Sequence, residues 1–217
     1  MTVFYPNKDT NNVLLSGVIK EELEFVTEFK GTKIYKTILG VFRLSGLEDI
    51  LPIYISDRLD GFKDIIVGKY VKIDGSMRSS QYRDSDRVKR TRVYVQVKEI
   101  LDIQDCLPED WYDNSIELSG KLFRDPILRK SKSDKKVDLS EIVLEVHRGY
   151  NKYDHIPVII WGTDAKYISK FKKGTKVSLD GRFQSRNFIR HKDSGLESAI
   201  SYEVSVRNIE ILEERGN

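Results

Sequence analysis

Two segments of this chain interleave cations with flat rings. Tyr82 is followed by Arg83-Asp84-Ser85-Asp86-Arg87-Val88-Lys89-Arg90-Thr91-Arg92, and Phe188 sits inside Arg186-Asn187-Phe188-Ile189-Arg190-His191-Lys192. A third segment, Arg129-Lys130-Ser131-Lys132-Ser133-Asp134-Lys135-Lys136, is basic without a ring. Together these residue types suit one chemistry: cations neutralise a phosphate backbone and release its counterions, while rings stack on bases of any identity. A charged run alone is most often solvated surface; the interleaved rings lift the first two above that. The phosphate-contact candidates are therefore Arg83, Arg87, Lys89, Arg90, Arg92, Arg186, Arg190 and Lys192, with Arg129, Lys130 and Lys132. Tyr150, Tyr153 and His155 lie close together in sequence and are further ring candidates.

Catalysis has no comparable support. His147, His155 and His191 show no metal-ligand spacing, and one cysteine, Cys106, cannot complete a zinc site. There is no glycine-rich phosphate loop and no nucleophile elbow. Neither an enzyme nor a bound cofactor or metal is expected. A single cysteine also rules out an intrachain disulfide and fits a reducing compartment.

Composition sets wider bounds. The 217 residues suit one large domain or two of about 100 residues each. Charged residues make up 33% and hydrophobic residues 39%, as expected of a folded globular chain. The net charge of +3 permits a nucleic-acid partner without arguing for one. Residues 1–10 lack a basic start and an apolar core, so no secretory signal is expected there. The longest apolar run, Ile156 to Trp161, is too short to cross a bilayer. A cytoplasmic, nucleoid-associated location is the expectation.

The elements that would position these residues occur twice. Asn11-Asn12-Val13-Leu14-Leu15-Ser16-Gly17 is echoed by Asn114-Ser115-Ile116-Glu117-Leu118-Ser119-Gly120. Lys36 to Arg43 aligns with Glu141 to Arg148, and Pro52-Ile53-Tyr54-Ile55-Ser56 with Pro157-Val158-Ile159-Ile160-Trp161. Gly68 to Gly75 matches Gly174 to Gly181, and Val93 to Val97 matches Tyr202 to Val206. A repeat this long means tandem domains, since solenoid units are much shorter. Val71/Ile73, Val177/Leu179, Val93/Val95/Val97 and Tyr202/Val204/Val206 alternate apolar with polar and read as half-buried strands. Leu59, Phe62 and Ile65, and again Ala165, Ile168 and Phe171, recur at three-residue spacing before Gly68 and Gly174, suggesting one short helix per unit. Five strands with a helix between the third and fourth is the plan of an OB barrel. The expected architecture is all-β: two tandem five-stranded OB-fold barrels at 1–105 and 114–217, joined by a linker at 106–113.

The second unit resembles the bacterial single-stranded DNA-binding protein family. The resemblance rests on Gly120-Lys121-Leu122-Phe123-Arg124-Asp125-Pro126-Ile127-Leu128-Arg129, then Val146-His147-Arg148, Val158-Ile159-Ile160-Trp161-Gly162, Lys172-Lys173-Gly174, and Asp180-Gly181-Arg182-Phe183-Gln184-Ser185-Arg186-Asn187-Phe188. The first unit keeps the skeleton but has Lys20-Glu21-Glu22-Leu23-Glu24 where the Arg-Asp-Pro stretch would stand. The resemblance implies sequence-independent binding of single-stranded DNA by assemblies containing four OB folds, hence a homodimer here. It places stacking rings at Trp161 and Phe188, with Tyr82 equivalent to Phe188 and Tyr54 out of register with Trp161, two residues before the matching Ser56. Arg124 and Arg148, inside the resembling segments, join the phosphate candidates. Asp125 reads as fixing the turn after the first strand, and Lys170, Lys172 and Lys173 as closing a helix against its dipole.

Family members that coordinate replication end in an acidic recruiting tail, whereas this chain ends Ile211-Leu212-Glu213-Glu214-Arg215-Gly216-Asn217. Replication or repair proteins stay open as partners, while recruitment through such a tail is not expected. Two alternatives stay open: an OB-fold interaction scaffold of a primosome-like kind, with weak nucleic-acid affinity, and binding of single-stranded RNA, which stacking alone does not exclude.

Overall fold

The computed structural model describes residues 9–84, 87–131, 136–149, 151–192 and 195–212. The chain divides into two compact units. The N-terminal unit comprises Val13–Ser115 and Arg182–Glu203; the C-terminal unit comprises Ile116–Gly181 with the described parts of Met1–Asn12 and Val204–Asn217.

The first half of the chain supplies strands β1 (Asn11–Ile19), β2 (Glu24–Phe29), β3 (Thr32–Phe42), β4 (Glu48–Ser56), β5 (Tyr70–Arg83) and β6 (Lys89–Gln104). Their order is β2-β3-β4-β6-β5-β1, and β1 pairs back onto β3 to close a barrel. The second half supplies β7 (Asn114–Leu122), β8 (Ile127–Lys130), β9 (Asp138–Gly149), β10 (Lys152–Trp161), helix α1 (Gly162–Ile168), β11 (Lys176–Lys192) and β12 (Gly195–Ile211). The order repeats as β7-β11-β12-β10-β9-β8, closed by β7 on β9. Both are OB folds.

Each half thus carries one strand more than the five expected. β2 and β8 are short hairpin partners of β3 and β9. The helix also differs between the halves. The second half forms α1, burying Ala165 and Ile168 completely, whereas the first forms a single 3-10 turn at Phe62–Asp64. Three-residue spacing is the period of a 3-10 turn as well as of an α-helical face, so the sequence pattern did not separate the two.

Alternation fills the interiors. Leu51, Ile53 and Ile55 of β4 point inward at zero exposure, as do Ile156 and Ile160 of β10 at 1% or less. The repeated prolines have a positional reason. β4 meets β6 in parallel from Ile53, and β10 meets β12 from Val158, so Pro52 and Pro157 stand just before that pairing begins.

Closure is the tightest feature. β1 runs along β5 from Val13 and turns onto β3 at Val18; β7 leaves β11 and turns onto β9 at Lys121. At each turn sits a glycine, and a Cβ on it would run into backbone: Gly40 O for Gly17, Glu145 O for Gly120. Glycine is kept there because two backbones cross in contact. We expect Gly120→Ala to destabilise the protein by about 1–3 kcal/mol through overpacking. For a chain of this size that lowers the thermal midpoint by roughly 2–4 °C per kcal/mol. An unchanged midpoint would show that the crossing relaxes freely.

Candidate nucleic-acid interface

In the C-terminal unit, alternation along β10 turns Tyr153, His155, Pro157, Ile159 and Trp161 away from the interior that holds Ile156, Val158 and Ile160. Trp161 and Tyr153 remain 44% and 47% exposed. Opposite them on β9, His147 pairs with Tyr153 and Glu145 with His155. The His147 ring lies 5.1 Å from that of Tyr153, and His155 Nε2 is 3.4 Å from Glu145. Phe123, which follows β7 and is 42% exposed, meets the His155 ring edge-on at 4.3 Å, with Lys173 Nζ 5.7 Å from its centre. The sequence pattern gives Phe123 no role of its own, because its partners, His155 on β10 and Lys173 in the turn before β11, are distant in the chain.

Arg148 is differently engaged from the expected phosphate contact. Its guanidinium grips the fully buried Asp154 with two hydrogen bonds, Nε to Oδ2 at 2.9 Å and Nη2 to Oδ1. The N-terminal unit repeats the arrangement: Arg43 donates from Nε and Nη2 to the fully buried Asp49, each at 2.6 Å. The bond to Asp49 raises the pKa of the Arg43 guanidinium above its ordinary value, against the opposing effect of burial. A buried carboxylate persists only when paired and hydrogen-bonded. Asp49 takes two donors more, the Ser185 backbone N–H at 2.8 Å and the Ser185 hydroxyl at 3.4 Å, while Ser185 Oγ accepts from Ile50 N at 2.9 Å. The Asn114 amide brackets the Phe183 backbone, accepting from its N–H and donating to its carbonyl, both at 2.8 Å. These contacts fix the Arg182–Glu203 hairpin within the N-terminal unit.

The cation runs lie largely on strands. β5 and β6 pair as far as Arg83 with Lys89, leaving a short turn in which Arg87 takes a left-handed conformation (φ 58°). Tyr82, 37% exposed, stands opposite Arg90, and the Arg92 guanidinium lies 4.8 Å from its ring centre. Arg90 bonds Asp84 at 2.8 Å, and Arg83 donates to the Arg87 carbonyl at 3.0 Å. Lys89 is exposed beside them. Phe188 lies half-buried on the β11 arm, near exposed Arg186, whose Nε is 3.6 Å from Glu203. Tyr54 departs from the expected stacking role: it is 7% exposed and stacks on Tyr94 at 4.0 Å. Near it opens a cavity of about 220 Å³, lined in part by Glu21, Glu22, Glu24, Arg92 and Tyr202. Burial, and then the Glu21 charge, push the Tyr202 phenol pKa up, with Arg92 opposing. Lys36, paired with Glu24 at 2.9 Å, lines the same wall, so three carboxylates there face two cations.

The third basic run is partly committed. Arg129 lies 3.6 Å from Glu141; Lys130 and Lys166 lie 2.6 and 3.2 Å from Asp138. Hydrogen bonds from Lys130 and then Lys166 hold the Asp138 carboxyl below its ordinary range. Asp125 is lowered first by the Lys173 backbone N–H and then by Lys172, and so ties the turn after β7 to the segment before β11. Arg124 is exposed beside it. Tyr150 and Lys132 lie outside the described residues, as do the side chains of Arg190 and Lys192. Among the described residues no cluster of His, Cys, Asp and Glu could hold a metal ion, and no helix is long and apolar enough to cross a membrane.

Tandem OB barrels with exposed rings on strand faces and cations beside them define a class of oligonucleotide-binding folds. Comparison with known proteins narrows the class. The model of the single-strand binding protein family matches residues 113–212. Single-stranded DNA-binding protein 1 of Streptococcus pyogenes is 32% identical over 111 residues, covering 48% of this chain and 82% of that protein. Single-stranded DNA-binding protein 2 of Listeria monocytogenes is 30% identical over 111 residues, covering 48% of this chain and 66% of that one. The matched region therefore spans about two thirds of the Listeria relative's length. The crystal structure of the wild-type single-stranded DNA binding protein from Thermus aquaticus aligns over 97% of this chain and 96% of its own, with a TM-score of 0.72 at 20% identity, a likeness of fold. The chain belongs to the single-strand binding protein family.

The Asp138 pairs yield a prediction. A carboxyl whose pKa falls on folding adds stability above its unfolded pKa and loses it as pH drops through the folded value. The Lys130 and Lys166 pairs should therefore hold at neutral and mildly acid pH and release only in strong acid. Asp138→Asn releases both cations at pH 7. If they then meet phosphates, the salt dependence of binding to a single strand should steepen by about 0.7 per cation. An unchanged slope would leave both lysines off the strand's path.

Proposed function

We propose that this chain binds single-stranded DNA without sequence preference and covers exposed strands during replication, recombination or repair. The observation that carries the reading is the exposure of Trp161, 44% open to solvent at the end of a strand whose alternate residues are buried. An exposed indole offers a flat face on which a base of any identity can stack. Tyr153, on the same face of β10, extends the platform, and Phe188 and Tyr82 add rings on the two hairpin arms. Lys89, Arg92, Arg124, Arg186, Arg83, Arg87, Arg129 and Lys130 are exposed cations to which we assign the backbone, with half-buried Arg90 beside them. Arg190, Lys132, Lys192 and Tyr150 stay with the proposal on sequence grounds.

The functional domains we assign are 1–105 and 114–217 with a linker at 106–113, the second being the stronger site. The burial of Tyr54 supports that inequality. We further propose a homodimer, which brings four OB folds together, acting in the cytoplasm on nucleoid DNA.

Replacing both rings, Trp161→Ala with Phe188→Ala, should weaken binding to an oligothymidine by about 2 kcal/mol or more, at roughly 1–3 kcal/mol per stacked base. Fluorescence anisotropy of labelled DNA reads this, with the thermal midpoint of the variant as a folding control. Full affinity in a folded double variant would remove stacking at these rings from the account.

A further inference from the structure

We propose that copies of this chain join edge to edge, β2 of one copy adding to β8 of another. The contact concerns assembly and rests on edges separate from the stacking rings, with Arg129 and Lys130 serving in both readings. β2 and β8 are terminal in the strand order, and among the described residues neither has a neighbour on its outer side. Such an edge presents unpaired N–H and C=O groups that invite another strand.

The two edges are complementary. All six residues of β2 are exposed, including Phe25 at 53%, Val26 at 39% and Phe29 at 69%. Bare edges of natural sheets rarely display so much apolar surface unless something covers it. β8 offers an apolar counterpart in Leu128, 45% exposed. The charges on the edges are opposite, with Glu24 and Glu28 on β2 and Arg129 and Lys130 on β8. One antiparallel register sets Leu128 opposite Phe29 and, next to it, Arg129 opposite Glu28. Both cross-strand pairs are of stabilising types. The existing Lys36–Glu24 pair at 2.9 Å and Arg129–Glu141 pair at 3.6 Å are exposed. Exchanging such pairs costs little. The glutamates on β2 also make a phosphate backbone a poor occupant of that edge. Because the two edges differ, the contact is heterologous: it either reciprocates into a closed dimer or runs on as a filament.

Disulfide trapping tests the register. In a Cys106→Ser background, chains carrying Phe29→Cys and chains carrying Leu128→Cys are mixed under mild oxidation. The proposal expects linked pairs only in the mixture, since each link needs one edge of each kind. Adding Glu28→Lys to the first chain should cut the yield about tenfold, a cross-strand charge pair and its reversal being worth up to about that. Arg129→Glu in the second chain should restore it. Absence of a mixed link overturns the proposal, as does a yield indifferent to Glu28→Lys. Linking of Phe29→Cys chains to each other would give the edge to a second β2 and overturn it too. Anisotropy with a short oligothymidine, run on the Phe29→Cys and Leu128→Cys chains without the charge substitutions, keeps the two readings apart. Lost linking with intact DNA binding removes only the edge contact, and linking without DNA binding removes only the DNA reading.

Discussion

Each barrel depends on a strand that serves two neighbours. β1 and β7 begin against one strand and end against another, and the change is possible only where the backbones touch without a side chain between them. Gly17 and Gly120 supply that contact at equivalent places in the two halves. Once closure is set, the alternation of β4 and β10 is set with it. Inward positions fill with Leu and Ile at essentially no exposure, and on the opposite side Trp161 and Tyr153 stay exposed while Tyr54 and Ile159 are covered. Closure plus alternation turns Trp161 outward and requires no separate device.

Equal skeletons carry unequal surfaces. Both halves bury an aspartate under an arginine fork, Arg43 on Asp49 and Arg148 on Asp154, so this pair is part of the scaffold. On the outward faces the halves diverge. β10 displays Trp161 and Tyr153, whereas β4 has Ser56 at the position matching Trp161, and Tyr54 is folded down against Tyr94. Where the second half has Arg124, Asp125 and Pro126 after its first strand, the first has glutamates that line a small cavity. The outward surfaces thus differ in rings and charge, with the scaffold unchanged between them.

Much of the scaffold was legible in the sequence. The five repeat anchors fall on structural necessities: the closure glycines, the prolines ahead of parallel pairing, and the alternating strands β5, β6, β11 and β12. The candidate site was legible by residue type and less so by geometry. Cation runs rich in Asp and Ser suggest loops, yet cross-strand pairing carries β5 and β6 to Arg83 and Lys89 and turns those residues into strand arms. Arg148 looked available because a sequence does not show which arginine faces a buried carboxylate. One signal was nevertheless present: Arg and Asp stand six residues apart at the same place in both repeats, 43 with 49 and 148 with 154. The part played by Phe123 was invisible, since its contacts to His155 and Lys173 join segments that lie 32 and 50 residues away in the chain.

Tryptophan fluorescence during titration with an oligothymidine, at low and at high salt, tests the central claim most directly. The chain has two tryptophans; Trp111 is 6% exposed and Trp161 is 44% exposed, so a ligand on the surface reports through Trp161. The account predicts strong quenching that weakens as salt rises, because a base covers the ring while cations hold the backbone. Binding detected by anisotropy without quenching, or no binding at low salt, would contradict it.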